Sequence, residues 1–126
     1  MEKSFSERVA EAKAAVPAVS PQEASARKAN DPDTLFIDPR DPGDIRTTTG
    51  HIPGALNVQL KELSETSDDD LPPELASRSR PIITACQGGP MGALAAYVLR
   101  QRGFHNISFI DGGTQGWLNA GYATVR

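Results

Sequence analysis

The segment PIITACQGGPMGALAAYVLRQRG, residues 81–103, carries the strongest structural signal in the sequence. Its first five residues are mainly apolar and β-branched, as in a strand buried inside a sheet. Gly88 and Gly89 then predict a tight loop, and the apolar residues from 91 to 102 recur at helical spacing. A strand that leads through a short loop into a helix is typical of a parallel sheet covered by helices. The single cysteine of the chain, Cys86, lies at this junction.

Similar patterns recur on both sides of this segment. The sequence predicts short strands at residues 16–19, 35–37, 55–58 and 107–110, and helices at residues 5–16, 20–28 and 114–120. Residues 61–80 include two adjacent prolines, so we interpret this stretch mostly as a surface connection. The alternation of strands and helices indicates an α/β fold, with a mainly parallel sheet and helices on both faces. We divide the chain into an N-terminal amphipathic helix, residues 1–15, packed on a domain of residues 16–126.

Composition and charge limit the classes of function. With 126 residues, the chain has the size of one domain. Its net charge is −3 and no run of Lys or Arg exceeds two residues, so we do not expect binding to nucleic acid or to anionic membranes. It contains no apolar run long enough for a spanning helix, and its first residues lack the apolar core of a signal peptide. We therefore expect a cytoplasmic protein.

Cys86 occupies the position at which parallel α/β proteins bind ligands, where the carboxyl end of a strand meets the start of a helix. Backbone N–H groups at a helix N-terminus have no partner within the helix and carry partial positive charge. Several such donors around the sulfur favour the thiolate over the thiol, which makes the cysteine nucleophilic at neutral pH. Gly88 and Gly89 fit this arrangement, because a loop that folds its amides inward needs backbone angles that side chains resist.

Two interpretations of Cys86 are open at this point. A single cysteine after an apolar strand is often a buried core residue without reactivity. The order of strand, glycine loop and helix favours the other interpretation, a reactive and partly exposed thiol. One cysteine also excludes an internal disulfide, so the thiol is free.

Four sequence signatures, in a fixed order, resemble those of the single-domain rhodanese family. They are LFIDPR (35–40), GHIPGA (50–55), Cys86 with its glycine loop and ALAA (93–96), and DGG (111–113) with Gly116 and Trp117. The resemblance covers about residues 16–121. It implies a five-stranded parallel sheet and a sulfurtransferase, in which Cys86 carries a sulfane sulfur as a persulfide.

The resemblance also implies partners and site residues. The donor would be thiosulfate or a persulfide, and the acceptor would be a thiol, protein thiols included, or cyanide, without a cofactor. Residues 86–91, here called the cysteine loop, match the loop whose amides hold the persulfide. The candidate catalytic residue is Cys86, and the candidate substrate-binding residues are Asp38, Arg40, Gln87, Gly88, Gly89, Pro90, Met91 and Gly92.

The cysteine loop departs from the family pattern in charge. Met91 stands where the family usually has arginine, Gln87 stands where a basic residue is common, and Pro90 has no N–H to donate. The loop therefore offers backbone dipoles and one side-chain amide, but no cation, to an anionic donor. This predicts weak use of thiosulfate and favours a neutral or protein-bound persulfide as donor.

Three further polar residues have alternative roles. Asp38 and Arg40 follow the strand predicted at 35–37, which places them at the same sheet edge as Cys86. Arg40 could supply the cation that the loop lacks, or it could form a structural ion pair with Asp38. The glycines and proline around His51 favour a turn held by the imidazole over a catalytic histidine. Because His51 and His105 are not at metal-ligand spacing with Cys86 or with each other, we assign no metal.

Three functions fit a cysteine loop on this fold. The first is a sulfurtransferase or persulfide carrier, which we expect. The second, a phosphatase, needs a loop one residue longer that ends in arginine, whereas Gly92 occupies that position. The third is a catalytically weak or silent binding module, which the missing arginine favours and the retained cysteine opposes.

Overall fold

Five parallel strands form a single sheet in the computed structural model, which describes residues 3–126. The strands are β1 (Ala18–Val19), β2 (Leu35–Asp38), β3 (Leu56–Asn57), β4 (Ile82–Thr84) and β5 (Ile107–Ile110). Their order across the sheet is β1-β5-β4-β2-β3, so β4 lies in the centre. Thr84 of β4 is in register with Ile37 of β2 and with Phe109 of β5. The residues that follow β2 and β4 therefore leave the sheet at the same edge.

Helices connect successive strands, precede the first strand and follow the last one. They are α1 (Phe5–Ala15), α2 (Pro21–Asn30), α3 (Pro42–Thr47), α4 (Leu60–Glu65), α5 (Pro90–Gln101) and α6 (Gly113–Asn119). Two short 3₁₀ helices, Asp68–Asp70 and Pro73–Leu75, follow α4. Within residues 3–126, no helix is both long enough and apolar enough to cross a membrane.

The two faces of the sheet carry separate apolar cores. Side chains alternate along each strand, so Ile37 and Ile82 lie on one face while Phe36 and Ile83 lie on the other. The first core packs the strands against α1, α4 and α5. The second packs them against α2 and α6, where the rings of Trp117 and Phe36 meet with centroids 5.6 Å apart. The predicted α/β sheet with helices on both faces is confirmed, and it has five strands.

The region from residue 61 to residue 80 is more structured than the sequence indicated. Its interpretation as mostly surface connection is wrong in part, because α4 covers its start and Leu63 and Leu75 are buried in the first core. Among the described residues, no side chain caps the N-terminus of α4. Burial of Leu63 therefore stabilises this short helix, since a local capping signal is missing. Helix α3 also has no counterpart among the predicted helices.

The N-terminal helix α1 packs along α5. Its Ala12 and the following Val16 are buried in the first core, whereas most other positions of α1 are exposed or half-buried. Both helices run from the carboxyl edge of the sheet to its amino edge, because α5 follows the end of β4 and α1 leads into the start of β1. Residues 1 and 2 of the predicted segment 1–15 lie outside the described residues. The division at residue 16 stays a prediction.

Candidate functional site

The backbone places Cys86 directly beyond the central strand. Ala85 continues the pairing of the sheet, since its N–H donates to the carbonyl oxygen of Ile37 at 2.9 Å. Cys86 then begins the cysteine loop, which runs into the first turn of α5. The thiol therefore lies at the carboxyl edge of the sheet and before a helix N-terminus, as the sequence predicted.

The sulfur of Cys86 receives a backbone hydrogen bond. The N–H of Gly89 donates to Sγ over 3.0 Å, and in residues 3–126 it is the one donor within hydrogen-bond distance of that atom. The expectation of several donors is wrong, since one is found, and the next residue, Pro90, has no N–H to donate. Gly89 has a φ of +120°, which a side chain would resist, whereas Gly88 has no positive φ.

Cys86 is more enclosed than the sequence indicated. The residue is 3% exposed, so the expectation of a partly exposed thiol is wrong for the residue as a whole. It nevertheless lines an open cleft, described below, through which a reactant can approach it. The first turn of α5, which continues the loop, lies on one side of Cys86, and α6, which tertiary packing brings to the loop, lies on the other.

The N-terminus of α6 supports the cysteine loop from behind. The N–H of Thr114 donates to the carbonyl oxygen of Cys86 at 2.7 Å, and the N–H of Gln115 donates to that of Gln87 at 2.9 Å. Gly113, with φ +62°, makes this approach possible. A Cβ on Gly113 would lie 2.7 Å from the Cys86 oxygen and 2.9 Å from the Gly89 nitrogen. Gly113 therefore lets the N–H groups of Thr114 and Gln115 hold the peptide planes of the loop.

The cleft in front of Cys86 has a volume of about 360 Å³. Its lining consists of Phe5, Arg40, Asp44, Thr48, Cys86, Gln87, Gly88, Pro90 and Met91. Six of these were candidate site residues, whereas Phe5, Asp44 and Thr48 were not. No short-range signal points to those three, because they lie on α1 and at α3, far from the cysteine in sequence.

Three candidate residues do not line the cleft. Gly89 is buried behind it and acts through its N–H. Gly92 is also buried, and a Cβ there would lie 3.3 Å from the backbone nitrogen of Cys86, so it allows α5 to pack closely on the loop. Asp38 is buried and pairs with Arg40. Their assignment as substrate-binding residues stays a prediction.

Arg40 and Asp38 form a buried ion pair. Arg40 is 4% exposed and Asp38 is 2% exposed. The guanidinium donates from Nε to Oδ1 of Asp38 at 2.9 Å and from Nη2 to Oδ2 at 2.7 Å. It also donates to the carbonyl oxygen of Gly50 at 3.0 Å and to Oγ1 of Thr48 at 3.2 Å. The bidentate contact with Asp38 compensates the charge of Arg40. Of the two roles considered for Arg40, this favours a structural ion pair over a cation that binds the sulfur donor.

His51 belongs to the turn and not to the cleft. Its Nδ1 lies 2.9 Å from the carbonyl oxygen of Ile52, and because a carbonyl only accepts, Nδ1 carries the proton of this hydrogen bond. Its backbone pairs in antiparallel fashion with Val125. This geometry agrees with the interpretation of a turn held by the imidazole.

Shifted pKa values occur in two clusters outside the cleft. A hydrogen bond from Arg102 lowers the pKa of the Asp68 carboxyl, and the charge of Arg78 lowers it further. A hydrogen bond from Lys3 lowers the pKa of Glu11, with a second contribution from the hydroxyl of Tyr97. Both carboxylates join elements that are distant in sequence, Glu11 with α5 and Asp68 with the residues after α5.

The sequence model of the rhodanese-like domain family matches residues 20–120. This chain belongs to that family. Among curated relatives of this rhodanese-like chain is the thiosulfate sulfurtransferase GlpE of Shewanella oneidensis, 31% identical over 71 residues. The match covers 56% of the chain and 64% of that enzyme, which is less than two thirds of its length.

Solved structures agree with the assignment to the rhodanese-like family. The polysulfide-sulfur transferase homodimer of Wolinella succinogenes superposes with a TM-score of 0.76 at 26% identity, covering 96% of this chain and 86% of that one. A protein of unknown function from Rhodopseudomonas palustris, described as a possible tyrosine phosphatase, reaches a TM-score of 0.83 at 24% identity. It covers 99% of this chain and 96% of that one, and at this identity it shows the shared fold alone.

Proposed function

We propose that this rhodanese-like protein is a sulfurtransferase that carries a sulfane sulfur as a persulfide on Cys86. The family and a sulfurtransferase relative support the reaction class. The observation that carries the proposal is the placement of Cys86, whose Sγ accepts a hydrogen bond from the Gly89 N–H at 3.0 Å and which is one of the residues that line the cleft. A structural cysteine needs neither a backbone donor nor access to a cleft.

In the first half-reaction the Cys86 thiolate attacks the outer sulfur of the donor. With a persulfide R–S–SH, a new bond forms between Sγ and the outer sulfur while the S–S bond of the donor breaks. The leaving thiolate RS⁻ takes up the proton of the donor and departs as RSH. The product is the anionic persulfide Cys86–S–S⁻, and with thiosulfate the leaving group is sulfite.

In the second half-reaction an acceptor removes the outer sulfur. A thiol R′–SH attacks it as the thiolate, the bond between Sγ and the outer sulfur breaks, and the products are R′–S–SH and the Cys86 thiolate. With cyanide the product is thiocyanate. Protein thiols are included among the acceptors in this proposal.

The cysteine loop supports the anionic states of both half-reactions. The positive end of the α5 backbone dipoles points toward the loop, because Gly89 is the N-cap of α5. Hydrogen bonds to charged acceptors contribute about 1.5–3 kcal/mol each, so the Gly89 N–H stabilises negative charge on Sγ as the sulfur attacks and leaves. The two bonds from α6 to the loop carbonyls keep that N–H in place.

The charge of the cleft bears on the choice between the two donors. Arg40 is compensated by Asp38, and Met91 and Gln87 are uncharged. A dianion such as thiosulfate therefore finds no free cation among the residues that line the cleft. We propose that persulfides are used better than thiosulfate. The expected cytoplasmic location stays a prediction.

The decisive experiment is the mass of the intact protein after incubation with thiosulfate or with a small persulfide. We expect a gain of one sulfur atom, located on Cys86 by peptide mapping and removed by a thiol or cyanide. The matched control is Cys86→Ser, which keeps a small side chain at the position and should melt cooperatively while taking up no sulfur. Sulfur uptake by Cys86→Ser at the wild-type rate would contradict the role of Cys86.

A catalytically silent binding module is the second candidate. The near-complete burial of Cys86 and the uncharged Met91 favour it. In that case the folded wild-type protein would take up no sulfur from either donor. A phosphatase would instead hydrolyse an aryl phosphate, for which the loop lacks the arginine that binds the phosphate oxygens.

A further inference from the structure

We propose that Phe5 is a specificity-determining residue of the cleft, and that the preferred sulfur donor carries an apolar group on the atom to which its sulfane sulfur is bonded. The inference rests on the proposed sulfurtransferase function and names the class of donor. Its basis is the placement of an exposed phenyl ring from α1 in the wall of the same cleft that Cys86 lines.

Phe5 is unusual in its exposure. The side chain is 56% exposed, while the other three phenylalanines of the chain are buried in the two cores. Pro90 and Met91 line the same cleft and are half-buried, so three apolar side chains surround the approach to the thiol. A ring in this position gains apolar contact when a ligand covers it.

The position of Phe5 is fixed by the packing of its helix. It is the first residue of α1, directly after the N-cap Ser4, whose Oγ accepts a hydrogen bond from the N–H of Glu7 at 3.1 Å. The same helix is tied to α5 because the hydroxyl of Tyr97 donates to Glu11 at 3.0 Å. This bond raises the pKa of Tyr97 and contributes to the lowered pKa of Glu11.

The two parallel helices bring Phe5 to the cysteine loop. Phe5 precedes Glu11 by six residues, and Met91 precedes Tyr97 by six residues. Since α1 and α5 run side by side in the same direction, the contact between Glu11 and Tyr97 places Phe5 level with Met91. The start of α1 therefore forms one wall of the cleft.

The charges around the cleft disfavour a donor that carries a second anionic group besides its reacting sulfur. The guanidinium of Arg40 is bound to the buried carboxylate of Asp38. The remaining charged side chain of the lining is Asp44, which is exposed and, within residues 3–126, has no cation within ion-pair distance. Its negative charge opposes a second anionic group near the sulfur. The apolar side chains of the lining and the negative charge of Asp44 therefore both favour a donor with an apolar substituent.

Thiosulfonates R–SO₂–S⁻ test this inference as a matched series. The Cys86 thiolate forms a bond to the terminal sulfur, the bond between the two donor sulfurs breaks, and the sulfinate R–SO₂⁻ leaves with the electron pair. On the sulfur bonded to the reacting one, benzenethiosulfonate carries a phenyl group, methanethiosulfonate a methyl group and thiosulfate a further negative oxygen. The experiment measures kcat/KM for each donor with cyanide as acceptor.

The comparison uses Phe5→Ala and Phe5→Leu, with Val125→Ala as control. Val125 is the other large exposed apolar side chain of residues 3–126, and it does not line the cleft. Because alanine removes the ring that an aryl donor would contact, we expect Phe5→Ala to lower the ratio of kcat/KM for benzenethiosulfonate to kcat/KM for methanethiosulfonate about fivefold. Comparing ratios between variants cancels the difference in leaving-group reactivity. Phe5→Leu should retain part of the preference, and Val125→Ala all of it.

Several outcomes would overturn the inference. One is an unchanged ratio in Phe5→Ala, and another is an equal fall of the ratio in Val125→Ala. Thiosulfate could also be used better than benzenethiosulfonate by the wild type. In each case the mass of wild-type Cys86 after incubation still reports on the proposed function. If no donor adds sulfur to Cys86 of the folded wild type, the proposed function and the inference both fail.

Discussion

Replacing Gly113 by alanine tests whether the start of α6 controls the chemistry at Cys86. Gly113 has a φ of +62°, and a Cβ there would lie 2.7 Å from the carbonyl oxygen of Cys86 and 2.8 Å from that of Gln87. Both neighbours are backbone atoms and cannot rotate away. The cysteine loop must therefore move if α6 keeps its place.

The expected cost has two parts. An alanine in the left-handed region costs about 1–2 kcal/mol. The displaced loop also weakens the bonds from Thr114 and Gln115 to the loop carbonyls, each of which contributes about 1 kcal/mol. We therefore expect Gly113→Ala to lower the free energy of unfolding by about 3–4 kcal/mol.

Sulfur transfer should fall along with stability. The new Cβ would also lie 2.9 Å from the nitrogen of Gly89, whose N–H donates to Sγ. Loss of a hydrogen bond to a charged sulfur costs about 1.5–3 kcal/mol, and about 1.4 kcal/mol corresponds to tenfold in rate. We expect kcat/KM to fall by about tenfold or more in the fraction that remains folded.

Gly54→Ala is the matched control. Gly54 has a φ of +81°, and a Cβ there would meet nothing within 4 Å. Gly54→Ala therefore has the backbone strain without a steric clash. It should lower the free energy of unfolding by about 1–2 kcal/mol and leave the rate of sulfur transfer unchanged. Urea unfolding and the transfer assay compare the two variants directly. If Gly113→Ala is no less stable and no slower than Gly54→Ala, α6 does not hold the cysteine loop in its active geometry.

Three further predictions concern charged side chains, two of them in the cleft and one outside it. Met91→Arg should raise kcat/KM for thiosulfate about tenfold, because a charge-assisted contact contributes about 1.5–3 kcal/mol, and the gain should shrink as salt rises. An unchanged rate in a folded variant would show that thiosulfate does not reach this position. Arg40→Ala should lower the free energy of unfolding by about 3–5 kcal/mol in denaturant titrations, because it leaves the carboxylate of Asp38 buried without its partner. A loss near zero would contradict a buried ion pair. Asp68→Asn should lower stability at neutral pH, because the hydrogen bond from Arg102 holds the pKa of Asp68 below its usual 3.8. That contribution is present above the unfolded pKa and is lost as pH falls through the folded pKa, so the stabilities should converge in acid, and a gap independent of pH would count against it.

Local patterns predicted the elements that form the site. The strand at residues 107–110 has the predicted bounds, and the helix after the cysteine loop differs from the predicted residues 91–102 by one residue at each end. The helix has apolar residues at helical spacing and a glycine on either side, the strand is a short apolar run before a glycine turn, and such signals act over a few residues. The same reasoning placed Cys86 at the carboxyl edge of the sheet.

Weakly patterned elements could not be predicted in the same way. Helix α4 has six residues and no side-chain cap among the described residues, and it depends on the burial of Leu63 against a sheet that the sequence does not display. The open choice between two roles of Arg40 had a similar cause. Whether the positive charge of Arg40 can bind a donor depends on how closely the carboxylate of Asp38 approaches it. Only coordinates give that distance.

The sequence by itself determined the alternation of strands with helices, the single cysteine and the missing cation at Met91. These features depend on residue type and on spacing along the chain. Only the tertiary structure decided that Cys86 is enclosed, that Gly113 backs the cysteine loop and that Phe5 forms a wall of the cleft. Each of these three features joins segments far apart in the chain. Such contacts arise from the packing of α1, α5 and α6 around a shared sheet, and no periodicity within one segment encodes them.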